Sequence, residues 1–211
     1  MTPEAQLLIA ELDSALNKAT RPKHLAILRC VTELFLDGAE SYSDDQVAVF
    51  DEVIDRLIEK IEHPVLVELS ARLARVANVL AKVAGRLSYD DDIAVSGLFL
   101  DKSDTLTDAT LVQVAEKKSQ KHLSAIAGRA QINEIVTNVL IDRGDSEVVR
   151  KVTSNQGAHI SELGFVKLIN RANSDKALAA AIANRNDMPA ELQPFLRLAL
   201  PKDVSLPGNA G

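Results

Sequence analysis

LTDATLVQVAEK (106–117), INEIVTNVLIDR (132–143) and ISELGFVKLINR (160–171) are three versions of one short helix. In each, an apolar residue (Leu106, Ile132, Ile160) precedes an N-cap type (Thr107, Asn133, Ser161), and an acid follows it (Asp108, Glu134, Glu162). Ten residues after the cap stands a base: Lys117, Arg143 or Arg171. Acid at the positive end of a helix and base at the negative end suit the helix dipole, and the apolar residue before the cap can act as a staple. Between the two ends Val114, Leu140 and Leu168 fall in register, and Leu196 continues the 28-residue step as a core position.

A second helix repeats at the same intervals. Ser119, Asp145 and Asn173 are its expected caps, and its apolar pairs are Leu123 and Ile126, Val149 and Val152, Leu178 and Ile182. Agreement of caps, charges and core at common offsets makes duplication the better account. The last copy is degraded: Pro189 occupies the cap column, and Asp187 is the expected cap of a helix through Leu192, Phe195 and Leu198. Two helices in 26 to 28 residues have two or three turns each, too short to be stable alone, so stacking must stabilise them. The expected fold is all-α, an N-terminal helical bundle continuing into a short-helix α-solenoid of HEAT-like repeats.

Upstream, helices are expected from Thr2 to about Asn17, from Pro22 to Gly38, and from Ser43 to Ile61. Ser43 and Gln46 make a capping box for the last of these. A fourth helix opens at Pro64, and its continuation toward Leu87 could break at Asn78 or Gly85. The expected organisation is a bundle over residues 1–87, a repeat region over 88–200 and a disordered tail over 201–211.

The composition fits that architecture. In 211 residues, 46% are hydrophobic and 26% charged, aromatics reach only 3%, and Trp is absent. Such Ala-, Leu- and Val-based apolar content suits closely packed helices. The net charge of −6 is uneven: 11 basic against 19 acidic residues over 1–105, 13 against 11 over 106–211. A nucleic-acid footprint needs far more positive charge than that. One cysteine, Cys30, excludes an intramolecular disulfide and is expected to be a buried, inert thiol within its helix. The acidic start of the chain lacks a signal-peptide pattern, and no apolar run approaches the roughly 20 residues of a membrane span. A cytoplasmic protein with no membrane insertion is expected.

LFLDGA (34–39), DDDIAV (90–95) and LIDRGD (140–145) are the segments in which the chain resembles an uncharacterised bacterial family, domain of unknown function 2336. The resemblance runs over most of the chain and implies helical repeats akin to HEAT-like and leucine-rich-variant units. It implies no activity, cofactor or functional residue.

Chemistry-bearing motifs are missing. The four histidines, His24, His63, His122 and His159, form no paired-ligand pattern and are expected at the surface or at helix ends. Asp90 to Asp92 read as acids at a helix N-terminus, and no second cluster accompanies them to complete a cation site. Neither a phosphate loop nor a nucleophile elbow occurs. Arg143-Gly144-Asp145 spells an adhesion tripeptide, but the register reads it as helix-end base, C′ glycine and cap of the next helix.

No enzyme and no cofactor are therefore expected, and a protein-interaction scaffold or adaptor is, in bacterial regulation and with another protein as partner. The alternative is a nucleic-acid-binding solenoid. The surface candidates for either are the base column Lys117, Arg143 and Arg171, and the group at the other helix ends, Arg129, Lys151 and Arg185 with Asn155 and Asn184. Helix-end electrostatics of about 0.3–1 kcal/mol each also account for the column.

Overall fold

The computed structural model describes residues 20–59, 61–74, 76 and 80–200. The helix expected at Thr2, a break at Asn78 and the expected tail lie outside these residues. The described residues are all-α, with one isolated bridge pair, Ile132 with Ala158, and no strand. The chain divides into two compact units, 1–107 and 108–211, a later boundary than the 87/88 division expected from sequence.

In the first unit, α1 (Arg21–Gly38) packs on α2 (Asp44–Ile58), α2 on α4 (Ala81–Ser88), and both α3 (His63–Leu73) and α4 on α5 (Ile93–Lys102). The α2 start is closed as its sequence dictates: Ser43 Oγ accepts from Gln46 N, and Gln46 Oε1 accepts from Ser43 N at 2.9 Å. Phe35, Tyr42 and Phe50 cluster over the α1–α2 turn, with ring centroids of Tyr42 and Phe50 4.9 Å apart. The polar side of α2 does not face water alone. Buried Asp51 accepts from Lys82 N at 2.8 Å and Val83 N at 3.0 Å, so α4 takes its N-terminal cap from another helix. Glu52 pairs with Lys82, and Asp55 and Glu59 pair with Arg86.

Several expectations are corrected in this unit. Cys30 is exposed, because the inner face of α1 runs through His24, Leu28, Thr32 and Phe35 and leaves Cys30 and Leu34 on the other side. Gly85 lies inside α4 and breaks nothing. His24 is buried rather than at the surface, its Nδ1 3.1 Å from Thr20 O. Asp92 does cap α5, its Oδ1 accepting from Ala94 N at 2.8 Å, and its other oxygen lies 2.6 Å from His63 Nε2.

The second unit consists of α6 (Asp108–Lys117), α7 (Gln120–Ala127), α8 (Glu134–Arg143), α9 (Ser146–Ser154), α10 (Glu162–Ala172), α11 (Lys176–Ala183), a 3-10 turn (Ala190–Leu192) and α12 (Gln193–Ala199). Each helix packs on the one two places later: α6 on α8, α8 on α10 and α10 on α12 make one layer, and α7, α9 and α11 make the other. This is the packing order of a helical repeat. Val114, Leu140, Leu168 and Leu196 are each fully buried, as are the second-layer pairs headed by Leu123, Val149 and Leu178.

Asp145 caps α9 and Ser161 caps α10 as expected. The cap of α11 is Asp175, whose Oδ1 accepts from Leu178 N at 3.0 Å, while Asn173 ends α10. The α10–α11 turn is longer than its predecessor and moves the cap down the chain. Asp187 caps no helix; Pro189 leads into the 3-10 turn, and Asp187 holds Arg185. Phe195 and Leu198 are exposed, and Leu196 alone of α12 is buried. Gly144 has an extended backbone rather than the left-handed one of a C′ glycine. Glycine is needed there for space, since a Cβ would stand 2.4 Å from Leu140 O.

Candidate interaction surface

An α-helix leaves its last four carbonyl groups without intrahelical partners. In the second unit some of those carbonyls, at the ends of α6, α7, α8 and α9, are taken up by side chains at the end of the equivalent helix one repeat later. Arg143, at the end of α8, donates through Nη1 to Ala115 O near the end of α6. Arg171, at the end of α10, donates to Ile141 O and Gly144 O, both at 2.9 Å.

The second layer works the same way. Asn155 Nδ2 donates to Ala127 O at 3.1 Å and Arg129 O at 2.7 Å, where α7 ends. Arg185 donates to Thr153 O, Asn155 O and Ala158 O, where α9 ends, and its other edge holds Asp187. Lys151 Nζ reaches Ser124 O at 2.7 Å. A guanidinium suits this work because its fixed fork of donors can meet several diverging carbonyls at once.

The six candidate bases thus have different surroundings. Lys117, Arg143 and Lys151 are exposed, Arg171 is half-buried, and Arg129 and Arg185 are buried at 8% and 4% exposure. Those last two are corrected as surface positions: helix ends in a stacked repeat lie against the next unit, and their polar side chains go with them. The register brings Arg143 and Arg171 to equivalent duties at successive interfaces of the first layer, and Arg185 does similar work in the second layer. His122 is also buried, its Nδ1 2.8 Å from Ser119 Oγ.

Apolar side chains left uncovered lie mainly on the first layer. Ile135 on α8 is 59% exposed and Leu163 on α10 is 63% exposed; Val166, Phe195 and Leu198 are also exposed. Ile135 and Leu163 occupy one column, each five residues before the core leucine of its helix, which turns them about 140° from the core. A signal for them exists in the sequence: two large aliphatics at one repeat position off the core stripe. Among the described residues no group of three His, Cys, Asp or Glu is placed to hold a metal, and no helix is long and apolar enough to cross a membrane.

With the repeat and its interfaces described, the family assignment has a structural counterpart. Residues 95–196 match the model of the DUF2336 family, described as an uncharacterised protein conserved in bacteria. The DUF2336 match runs from within α5 into α12 and includes LIDRGD, whereas LFLDGA lies outside it and DDDIAV reaches its first residue. No curated protein and no solved structure matches the chain.

Proposed function

We propose that this chain is a non-catalytic protein-interaction scaffold, working in the bacterial cytoplasm, with the first-layer helices α8, α10 and α12 as its contact surface. The observation that carries this reading is the exposure of Ile135 and Leu163 at one register position on neighbouring helices, with Val166, Phe195 and Leu198 on the same layer. Single exposed aliphatics are ordinary, but a group of them on stacked helices is the mark of a surface meant to be covered. A single cysteine suits a reducing setting. In the weakly basic half that motivated a nucleic-acid reading, Arg143, Arg171 and Arg185 hold backbone carbonyls, so that alternative is not proposed.

Affinity capture from the native bacterium with the full chain, beside the double variant Ile135→Asp/Leu163→Asp, tests the reading. The expected result is one or more partners retained by the wild type and lost by the variant, with both proteins showing the same helical content and cooperative unfolding. Partners held equally by a folded variant would overturn the surface, and a wild type that captures nothing reproducibly would overturn the scaffold.

A further inference from the structure

Successive repeats of the second unit are not closed by the same residues. Where α7 meets the α8–α9 turn, Gln120 spans it: Nε2 donates to Arg143 O at 3.0 Å, and Oε1 accepts from Asp145 N at 2.9 Å. Gln120 is the residue after the cap Ser119. One repeat later the residue after the cap Asp145 is Ser146, whose side chain is too short for that reach. The facing turn is also longer, with the cap at Asp175 four positions past Arg171 rather than two past Arg143.

A missing plug and a longer turn leave a cleft of about 560 Å³. Arg150, Arg171 and Lys176 line it, with the hydroxyls of Ser146 and Ser174 and a single carboxylate, Asp175. Asp175 offsets one of these charges, since its Oδ1 is the α11 cap and its Oδ2 makes a loose ion pair with Arg150 Nη1 at 3.6 Å; three cations against one carboxylate leave the lining at +2. The guanidinium of Arg171 serves Ile141 O and Gly144 O, so it contributes charge, while the exposed Arg150 and Lys176 supply the donors.

We infer that this cleft binds an acidic peptide segment of a protein partner, with a carboxylate held between Arg150 and Lys176. The inference rests on the interaction reading for the partner's being a protein, and on the cleft alone for its charge. A peptide fits better than a lone anion because the volume lies within the roughly 300–1,000 Å³ of clefts that enclose whole ligands, and because the cations Arg150, Arg171 and Lys176 outnumber the one carboxylate among the lining residues.

The test is fluorescence anisotropy of a labelled hexaglutamate peptide with the full chain, against a labelled hexalysine control and with inorganic phosphate as competitor. Hexaglutamate should bind, hexalysine should not, and the affinity should fall as salt is raised. Arg150→Glu/Lys176→Glu should weaken binding by about tenfold or more, the size of one lost charged contact. Ser146→Gln, which restores the plug of the preceding interface without altering any charge, should weaken it similarly while the protein unfolds no earlier. Ile135→Asp/Leu163→Asp should leave hexaglutamate binding intact, so that failure of the apolar surface and failure of the cleft are read apart. The inference is overturned if hexaglutamate does not bind, if both cleft variants bind it as the wild type does, or if phosphate at equal concentration displaces it.

Discussion

Arg171 donates through Nη1 to the carbonyl oxygen of Ile141 at 2.9 Å and through Nη2 to that of Gly144 at 2.9 Å, joining the end of α10 to the end of α8. The ends of α6 and α8 are each closed by the repeat that follows, which makes these interfaces polar at their rims and apolar at Leu140 and Leu168 between them. Arg143 and Arg171 therefore stabilise the stack.

Replacing Arg171 with Ala is expected to cost about 1.5–3 kcal/mol, the range for hydrogen bonds to a charged group. Lys at this position should recover only part of that, because an ammonium cannot present two fixed donors to two carbonyls. Urea unfolding monitored by circular dichroism measures both; an unchanged midpoint for the Ala variant would show that water serves these carbonyls equally well.

Arg185 is 4% exposed and donates to three carbonyls. Arg185→Met should be the most damaging of the base substitutions, at about 3 kcal/mol or more, since it leaves several buried acceptors without donors. Asp187→Asn, at a half-exposed partner, should cost about 1 kcal/mol or less. Thermal unfolding of the two variants side by side checks the ranking, and equal losses would contradict it.

Glycine substitutions separate close packing from helix propensity. A Cβ at Gly157 would stand 1.9 Å from Ala130 O, across the loops bridged by Ile132 and His159, so Gly157→Ala should be strongly destabilising. At Gly85, inside α4, nothing lies within 4 Å, and Gly85→Ala should stabilise by about 0.5–1 kcal/mol. Calorimetric midpoints moving in opposite directions are the expected outcome.

Acid should weaken the first unit through Glu52. Hydrogen bonds from Lys82 and then Arg56 hold its carboxyl below the ordinary glutamate value of 4.5, against the upward pull of burial. A depressed folded-state pKa means that the contribution to stability is fully present above the unfolded value and is lost as pH falls through the folded one. Glu52→Gln should lower stability by about 1 kcal/mol near neutral pH, and the gap to wild type should close as pH drops below about 4. Denaturant unfolding at the two pH values measures the gap; a difference that persists in acid would assign the effect to packing.

Much of the fold was legible because its cues are local. Ser43, Asp92, Asp145 and Ser161 cap helices they immediately precede, and a cap needs only its own next turn. Val114, Leu140, Leu168 and Leu196 announce the core by register, since equivalent residues of stacked units meet equivalent surroundings. Failures came where a neighbour decided the outcome. Cys30 and His24 share a helix, and which of them is covered depends on where the next helix lies against it. Asn173 lost its cap role to Asp175 through a turn whose length no periodicity reveals. The cap that Asp51 gives α4 joins residues about thirty positions apart.

The amino-acid sequence by itself determined the helical repeat, its 26- and 28-residue steps, the core columns and most helix starts, because these follow from side-chain spacing and from contacts within one turn. Tertiary structure alone decided that the arginines of the repeat reach back to the preceding helix, that Ile135 and Leu163 stay uncovered, and that Ser146 opens a cleft where Gln120 closes one. The physical reason is that a side chain's partner across an interface depends on how two helices are rotated and offset against each other. That offset is set by the whole packed layer and by turn length, and no single segment records it.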